Sequence, residues 1–217
     1  MLEARGEPAG PIWLGRLPAV GVAIGEQDGV VFIDTKGAVV TRLAGFELVG
    51  NAGAPGLWLR SGRSYYRMDA IAGAVEPVST KVAKRRMYDE SAAEPNLPSP
   101  PGSTGGQWRF AFTSPLGGAT LAQWSGECEV PTAFWVDANG TERIVTGEKS
   151  LSDAPESFAL GWSPTGEALV FLPEGACASG ASRRGIYAFS APGRGRLIYP
   201  TGEQVGTLAE AWGMSSG

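Results

Sequence analysis

Two thiols and no imidazole bound the chemistry open to this chain. Cys128 and Cys177 are its only cysteines, and histidine is absent from all 217 residues. Without imidazole there is no Ser-His-Asp or Cys-His nucleophile, no histidine general base and none of the commonest zinc sites. Two cysteines alone cannot close a structural zinc site either. Catalysis is left to carboxylates. Glu127, Glu129, Asp153 and Glu174 fall near predicted strand ends, where a pair of acids would suit glycosidic bond cleavage. Their spacing aims no two of them into one channel, so their expected role is that of solvated loop acids. Tryptophans 13, 58, 108, 124, 135, 162 and 212 offer platforms for a sugar, yet most lie inside strand patterns and read as packing residues. No catalytic, cofactor-binding or metal-binding residue is assigned.

The cysteines themselves end two versions of one phrase. Residues 114–128 read SPLGGATLAQWSGEC and residues 163–177 read SPTGEALVFLPEGAC, so both the serines and the cysteines stand 49 residues apart. Six of the fifteen positions are identical, where average residue usage gives roughly one match by chance. Ser-Pro, a Gly-containing turn and an apolar run read as a turn feeding a strand. An apolar stretch precedes each phrase (WRFAFT at 108–113, SFALGW at 157–162). A third and a fourth follow: AFWVDANG at 133–140 with RIVT at 143–146, and IYAFSAPG at 186–193 with RLIYP at 196–200. Each period thus predicts four short strands joined by hairpins.

The last hairpin of each period has its own signature, apolar-x-apolar-Asp-x-x-Gly, in which Asp or Ser accepts backbone N–H groups and Gly supplies positive φ. It recurs as VFIDTKG at 31–37 and, one residue longer, as YRMDAIAG at 66–73. Four hairpins, entered at Asp34, Asp69, Asp137 and Ser190, predict four units. The strands of the first are VGVAI, VVFID and AVVTRL; those of the second are FELVG, GLWLR, SYYRMD and AVEPV. Four-stranded antiparallel units repeating every 35 to 50 residues are the mark of β-propeller blades, and a sandwich gives no reason for a fixed phase. The expected fold is all-β, a single propeller-like domain over 1–217, either a β-propeller or an arc that is part of a larger ring.

Two terminal segments bear on the count. LAEAWGMSSG at 208–217 aligns with FALGWSPTG, Trp212 against Trp162, and reads as the inner strand of a further unit. It either pairs with the incomplete first unit or begins another blade. PIWLG at 11–15 offers itself as the first unit's inner strand. Residues 79–107 interrupt the pattern as a polar, Pro/Gly/Ser-rich insertion or linker, with room for a short helical turn early on. Its cluster of Lys84, Arg85 and Arg86 is expected to be solvated. A net charge of −4 argues against a nucleic-acid or anionic-membrane partner. No apolar run is long enough to span a membrane as a helix, and the first thirty residues show no secretory leader pattern.

WSPTGEALVF at 162–171 resembles the TolB-type, WD40-like propeller repeat, with Thr165 where that family usually has Asp and Glu167 where it has Lys. TSPLGGATLA at 113–122 is a weaker match, and the resemblance covers about 108–200. The family motif is structural and carries no catalytic residue. The resemblance implies a non-enzymatic binding or scaffold module contacting an unknown protein partner at the bacterial cell envelope, in an extracytoplasmic location and without a cofactor. The alternative is an enzyme: a carboxylate-based glycosidase-type propeller, or the propeller cap of a peptidase whose catalytic domain lies elsewhere.

Cys128 and Cys177 hold the same position in consecutive units, each two residues after a glycine. Equivalent points on neighbouring blades usually lie farther apart than the ~4.4–6.8 Å between Cα atoms that a disulfide needs. Both sit in loops, however, and EGACASGASRRG is long enough to lean across. We expect them to bond to each other, stabilising the fold by up to ~4 kcal/mol and implying an oxidising compartment. Alkylation of the native protein without reductant, followed by intact mass, should show neither thiol modified; two modified thiols rule the bond out.

Overall fold

In a computed structural model, the described residues are 12–13, 20–26, 28–34, 36–51, 56–69, 73–90, 97–126, 129–163, 165–173, 184–201 and 207–211. In chain order they form β1 (Ile12–Trp13), β2 (Val20–Glu26), β3 (Gly29–Asp34), β4 (Val39–Ala44), β5 (Glu47–Asn51), β6 (Gly56–Ser61), β7 (Ser64–Asp69) and β8 (Ala74–Val78). Helix α1 (Thr80–Glu90) follows, then β9 (Gly106–Thr113), β10 (Ala119–Gly126), β11 (Thr132–Asp137) and β12 (Glu142–Ile144). A 3-10 turn (Leu151–Asp153) leads to β13 (Phe158–Trp162), β14 (Ala168–Leu172), β15 (Gly185–Phe189), β16 (Gly195–Pro200) and β17 (Thr207–Ala211). These strands make four antiparallel sheets of propeller-blade type, three of four strands and one of five. The fold class is all-β, as the repeats predict.

The described residues pack as two compact units. In the first, sheet β17-β2-β3-β4 faces sheet β1-β8-β7-β6-β5. Val30, Phe32 and Leu43 of the former meet Leu48, Leu57, Leu59, Met68 and Val75 of the latter. Each such buried side chain contributes about 1.5–3 kcal/mol. The ring of Tyr66 meets Phe46 edge-on at 5.2 Å. Behind the second sheet Trp58 is buried under Ala83 of α1. That helix starts where it does because Ser79 caps it: the Val82 N–H donates to Ser79 Oγ at 3.4 Å. Lys84, Arg85 and Arg86 lie on its exposed side.

The C-terminal strand takes the first of the two places open to it. β17 pairs antiparallel with β2, with Thr207 opposite Gly25 and Ala211 opposite Val22, and so completes the first blade. The expected place for PIWLG is thereby filled, and that expectation is corrected. Ile12 and Trp13 pair instead with Val75 and Ala74, as a fifth strand on the outer edge of the second blade.

In the second unit, sheet β12-β11-β10-β9 faces sheet β13-β14-β15-β16. Leu121, Ala133 and Val145 meet Ala159, Trp162, Val170 and Tyr187. Trp135 stands edge-on to Trp162 at 4.8 Å, and Trp162 Nε1 donates to the carbonyl of Phe112 at 2.7 Å. A buried amide locks the two sheets in register. Gln123 Nε2 donates to the carbonyls of Trp124 at 3.0 Å and Ser157 at 3.2 Å, and its Oε1 accepts the Ala159 N–H at 2.8 Å. The ladder slips beside it, between Gln123 and Trp124 and again between Ala159 and Gly161. Those bulges leave the backbone groups that the amide satisfies.

The Asp-x-x-Gly and Ser-Pro-x-Gly phrases prove to be one turn. At Asp34, Asp137 and Ser163 the entry residue's N–H donates to the carbonyl of the fifth residue, and the glycine N–H returns to the entry carbonyl. The side chain closes the turn. Asp34 Oδ1 accepts from Lys36 and Ala38 at 2.8 Å, Asp137 Oδ1 from Asn139 and Thr141 at 2.9 Å, and Ser163 Oγ from Glu167 at 3.0 Å. Ser114 opens a version one residue longer, bonded to Ala119.

Two glycines of the second unit test separate costs. Gly140 has φ +79°, and a Cβ there would meet nothing within 4 Å, so Gly140→Ala carries backbone strain alone, about 1–2 kcal/mol. Gly147 has φ +101°, and its Cβ would lie 2.8 Å from the Cα of Gly193. Gly147→Ala should therefore lower the urea midpoint, followed by tryptophan fluorescence, more than Gly140→Ala does. Equal midpoints would mean that the 190–194 hairpin is not pinned there.

Candidate functional site

Two carboxylates of the second unit meet opposite fates. Glu129 follows β10, and its Oε2 accepts Trp124 Nε1 at 2.7 Å. Its Oε1 accepts the Thr104 N–H at 3.0 Å and the Thr104 hydroxyl at 3.4 Å. The chain makes room for it with a glycine, since a Cβ at Gly126 would lie 2.5 Å from Glu129 Oε2. The Trp124 indole first, then the Thr104 backbone, hold this carboxyl below its ordinary range. The result is a buckle. Segment 97–105, within the stretch read as an insertion, is strapped over the blade: Trp108 Nε1 donates to the Pro98 carbonyl at 2.7 Å. Leu97 packs on Trp108, Trp124 and Phe134 beneath it.

Glu142 lies on the same apolar face and has no such donors. In β12 the side chains alternate, and the register sets Glu142 opposite Val136 and Ile144 opposite Phe134. Glu142 therefore shares the face of buried Phe134, Val136 and Ile144, while Arg143 alternates to the exposed side. Both Glu142 carboxylate oxygens are shut off from solvent, and among the described residues no donor reaches them. Burial pushes this carboxyl above its ordinary range.

A half-open cleft of about 390 Å³ lies against Glu142. Its apolar walls are Phe134, Ile144, Leu151, Pro101 and Pro192, and Arg143, Glu148 and Lys149 stand at it too. Glu148 is engaged locally, its Oε2 accepting the Thr146 hydroxyl. Chemically, an ionised Glu142 requires a donor that the described residues do not supply, whereas protonation removes the charge that burial penalises.

Of the acids singled out in the sequence, neither Glu129 nor Asp153 lines this cleft. Asp153 accepts the Ser150 hydroxyl at 2.7 Å. Glu127, Glu174, Cys128 and Cys177 lie outside the described residues, as does Trp212. Trp58, Trp108, Trp124 and Trp162 are buried in the cores. Glu142 is the residue that sequence reading passed over, because it sits between an Asp-x-x-Gly turn and the strand read as starting at Arg143. The available signal was the alternation of Glu142 with Ile144. Among the described residues no group of three or more His, Cys, Asp or Glu could hold a metal ion, and no helix is long and apolar enough to cross a membrane.

Fold and site define an all-β protein of propeller-type blades with a cleft at the outer strand of one of them. No family model matches the chain, and no curated protein matches it. Among solved structures, TolB from Acinetobacter baumannii is matched over 85% of this chain at 16% identity, with a TM-score of 0.33. The chain spans 43% of that protein's length.

The opposed shifts predict opposed pH profiles. Glu142 binds its proton more tightly folded than unfolded, so its ionisation costs stability. That cost is absent below about pH 4, grows as pH rises through the unfolded and then the raised folded value, and is complete above it. Glu142→Gln should melt above the wild type at pH 7 and converge with it in acid. Glu129→Gln should melt below the wild type at pH 7, with a deficit that shrinks as pH falls through the depressed folded value. Calorimetric scans across this range check both; a Glu142→Gln protein melting no higher at pH 7 would mean that the carboxyl has a partner.

Proposed function

We propose that this chain is a non-enzymatic binding or scaffold module of the TolB-like propeller type, making protein–protein contacts at the bacterial cell envelope. The carrying observation is the cleft beside β12, whose largely apolar lining includes Glu142, a carboxylate that no donor of the described residues reaches. A buried acceptor left unpaired is costly in an isolated chain, and such a group marks a candidate functional position. Elsewhere the chemistry-bearing side chains serve the scaffold: Asp34 and Asp137 close turns, and Glu129 buckles the strap. The exposed large apolar side chains of this unit lie on connections, Leu116 at 70% and Val130 at 43%, and connections are where rigid scaffolds present binding groups. An extracytoplasmic location goes with this reading if Cys128 and Cys177 are bonded.

One observation favours the enzyme alternative. Glu142 and Glu148 line the same cleft, and Glu142 is the carboxyl pushed upward, as a general acid of a glycosidase would be. Crosslinking in intact envelopes, followed by reconstitution with the purified partner, should yield a stable complex and no turnover of aryl glycosides. Glycoside turnover that vanishes in Glu142→Gln or Glu148→Gln would overturn the binding reading in favour of the enzyme.

A further inference from the structure

We propose that the outer face of helix α1 is a docking surface for an extended segment of a partner protein rich in aspartate and glutamate. This rests on the reading of the chain as a protein-binding module and names the chemistry of what it binds. The helix opens with Lys81, Lys84, Arg85 and Arg86 and has no acid over 80–86. All four cations are exposed, while Ala83 turns the other way onto Trp58. Lys81 and Lys84, three apart, share one flank of the outer surface; Val82 and Arg86, four apart, share the other. Arg85 is engaged within the chain, so the open cations are Lys81, Lys84 and Arg86. Among the described residues, ion pairs join Arg42 to Glu26, Arg60 to Glu47 and Arg196 to Glu167, and none takes these three. The sheet face beneath brings its own cations to its acids: Glu47 pairs with Arg60, and Glu76 stands opposite Arg67 in the ladder. Asp69, on the same face, has an interaction of its own within the chain.

This order of charge works against the helix that carries it. A helix favours acids at its start and cations at its end, whereas α1 has no acid in its first turn, no base in its last, and Asp89 and Glu90 at its end. Lys81 also stands three and four residues from Lys84 and Arg85, where like charges repel. A departure of this kind from what the local structure wants is expected where a surface serves function. Carboxylates laid along the face offset the repulsion and complement its charge. The 11 residues of α1 run for ~16 Å, the reach of roughly five residues of extended chain. Val82, 42% exposed, gives that segment an apolar contact. A membrane or a duplex would bring its charge against a chain of net −4, whereas a peptide on α1 is screened from charges more than ~8 Å away.

The test titrates the full chain, nitrogen-labelled for NMR, at low ionic strength with an acetylated hexaglutamate amide and with its hexaglutamine counterpart. Saturable shifts of the Val82, Ala83, Lys84 and Arg86 amides are expected with hexaglutamate, weakening as salt is added, and none with hexaglutamine. The triple variant Lys81→Gln, Lys84→Gln, Arg86→Gln should bind about tenfold more weakly or worse. It should melt no lower than the wild type, because the charges it removes oppose the helix dipole. Arg143→Gln with Lys149→Gln, which removes two cations of the other unit, should bind hexaglutamate as the wild type does. The proposal is overturned by the absence of saturable shifts in α1, by equal binding of hexaglutamine, by undiminished binding to the triple variant or by a triple variant that melts lower. An equal loss in the Arg143 and Lys149 variant overturns it too. Co-sedimentation with phosphatidylglycerol vesicles that the triple variant abolishes would assign the face to a lipid surface and likewise overturn it. An envelope partner that binds the triple variant as well as the wild type would remove this site and leave the module reading intact. Saturable hexaglutamate binding at α1 with no crosslinked partner would sustain the site and remove the module reading.

Discussion

A short sheet that is apolar on both faces must have both faces covered, and this requirement organises each unit. β14 and β15 are buried at every position, and β3 nearly so. No alternation of polar residues is left that would let one face meet water. Within each unit two blades cover each other's inner faces. The remaining face of the second blade is met by α1 through Ala83, and that of the third by the 97–105 strap through Leu97. The polar stretch between these blades thus contributes two covers built in different ways, a capped helix and a loop.

Apolar contact alone tolerates sliding, and buried polar bonds remove that freedom. Gln123 ties two sheets together at the points where their ladders slip, and all its bonds run to backbone groups. Glu129 does the same for the strap, anchored to an indole on one side and a loop amide on the other. Replacing either by an apolar residue would strand its partners, which is the costly half of a hydrogen bond. Glu142 shows the contrast. It lies on the same covered face, one strand farther out, where neither the strap nor the turn at Leu151–Asp153 provides a donor. A carboxylate on an apolar face, at the margin of its cover, is left without a donor of the described residues where Glu129 is bolted down.

The residue order by itself determined the repeat. The matching phrases at 114–128 and 163–177, together with the Asp-x-x-Gly turns, placed nearly all the strands of four blades, because turn chemistry and apolar runs are local and recur wherever the backbone geometry recurs. Only tertiary structure decided what was long-range. The pairing of β17 with β2 joins segments at opposite ends of the chain, and nothing in TLAEA distinguishes it from the start of another blade. The edge position of Ile12–Trp13 follows from that choice. The candidate site was hidden for the same reason. Glu129 and Glu142 are indistinguishable as loop or strand-end acids in sequence, and their difference arises from donors on Thr104 and Trp124, which reach the one and not the other. A carboxyl's protonation depends on the neighbours that folding assembles around it, and those neighbours are not adjacent in the chain.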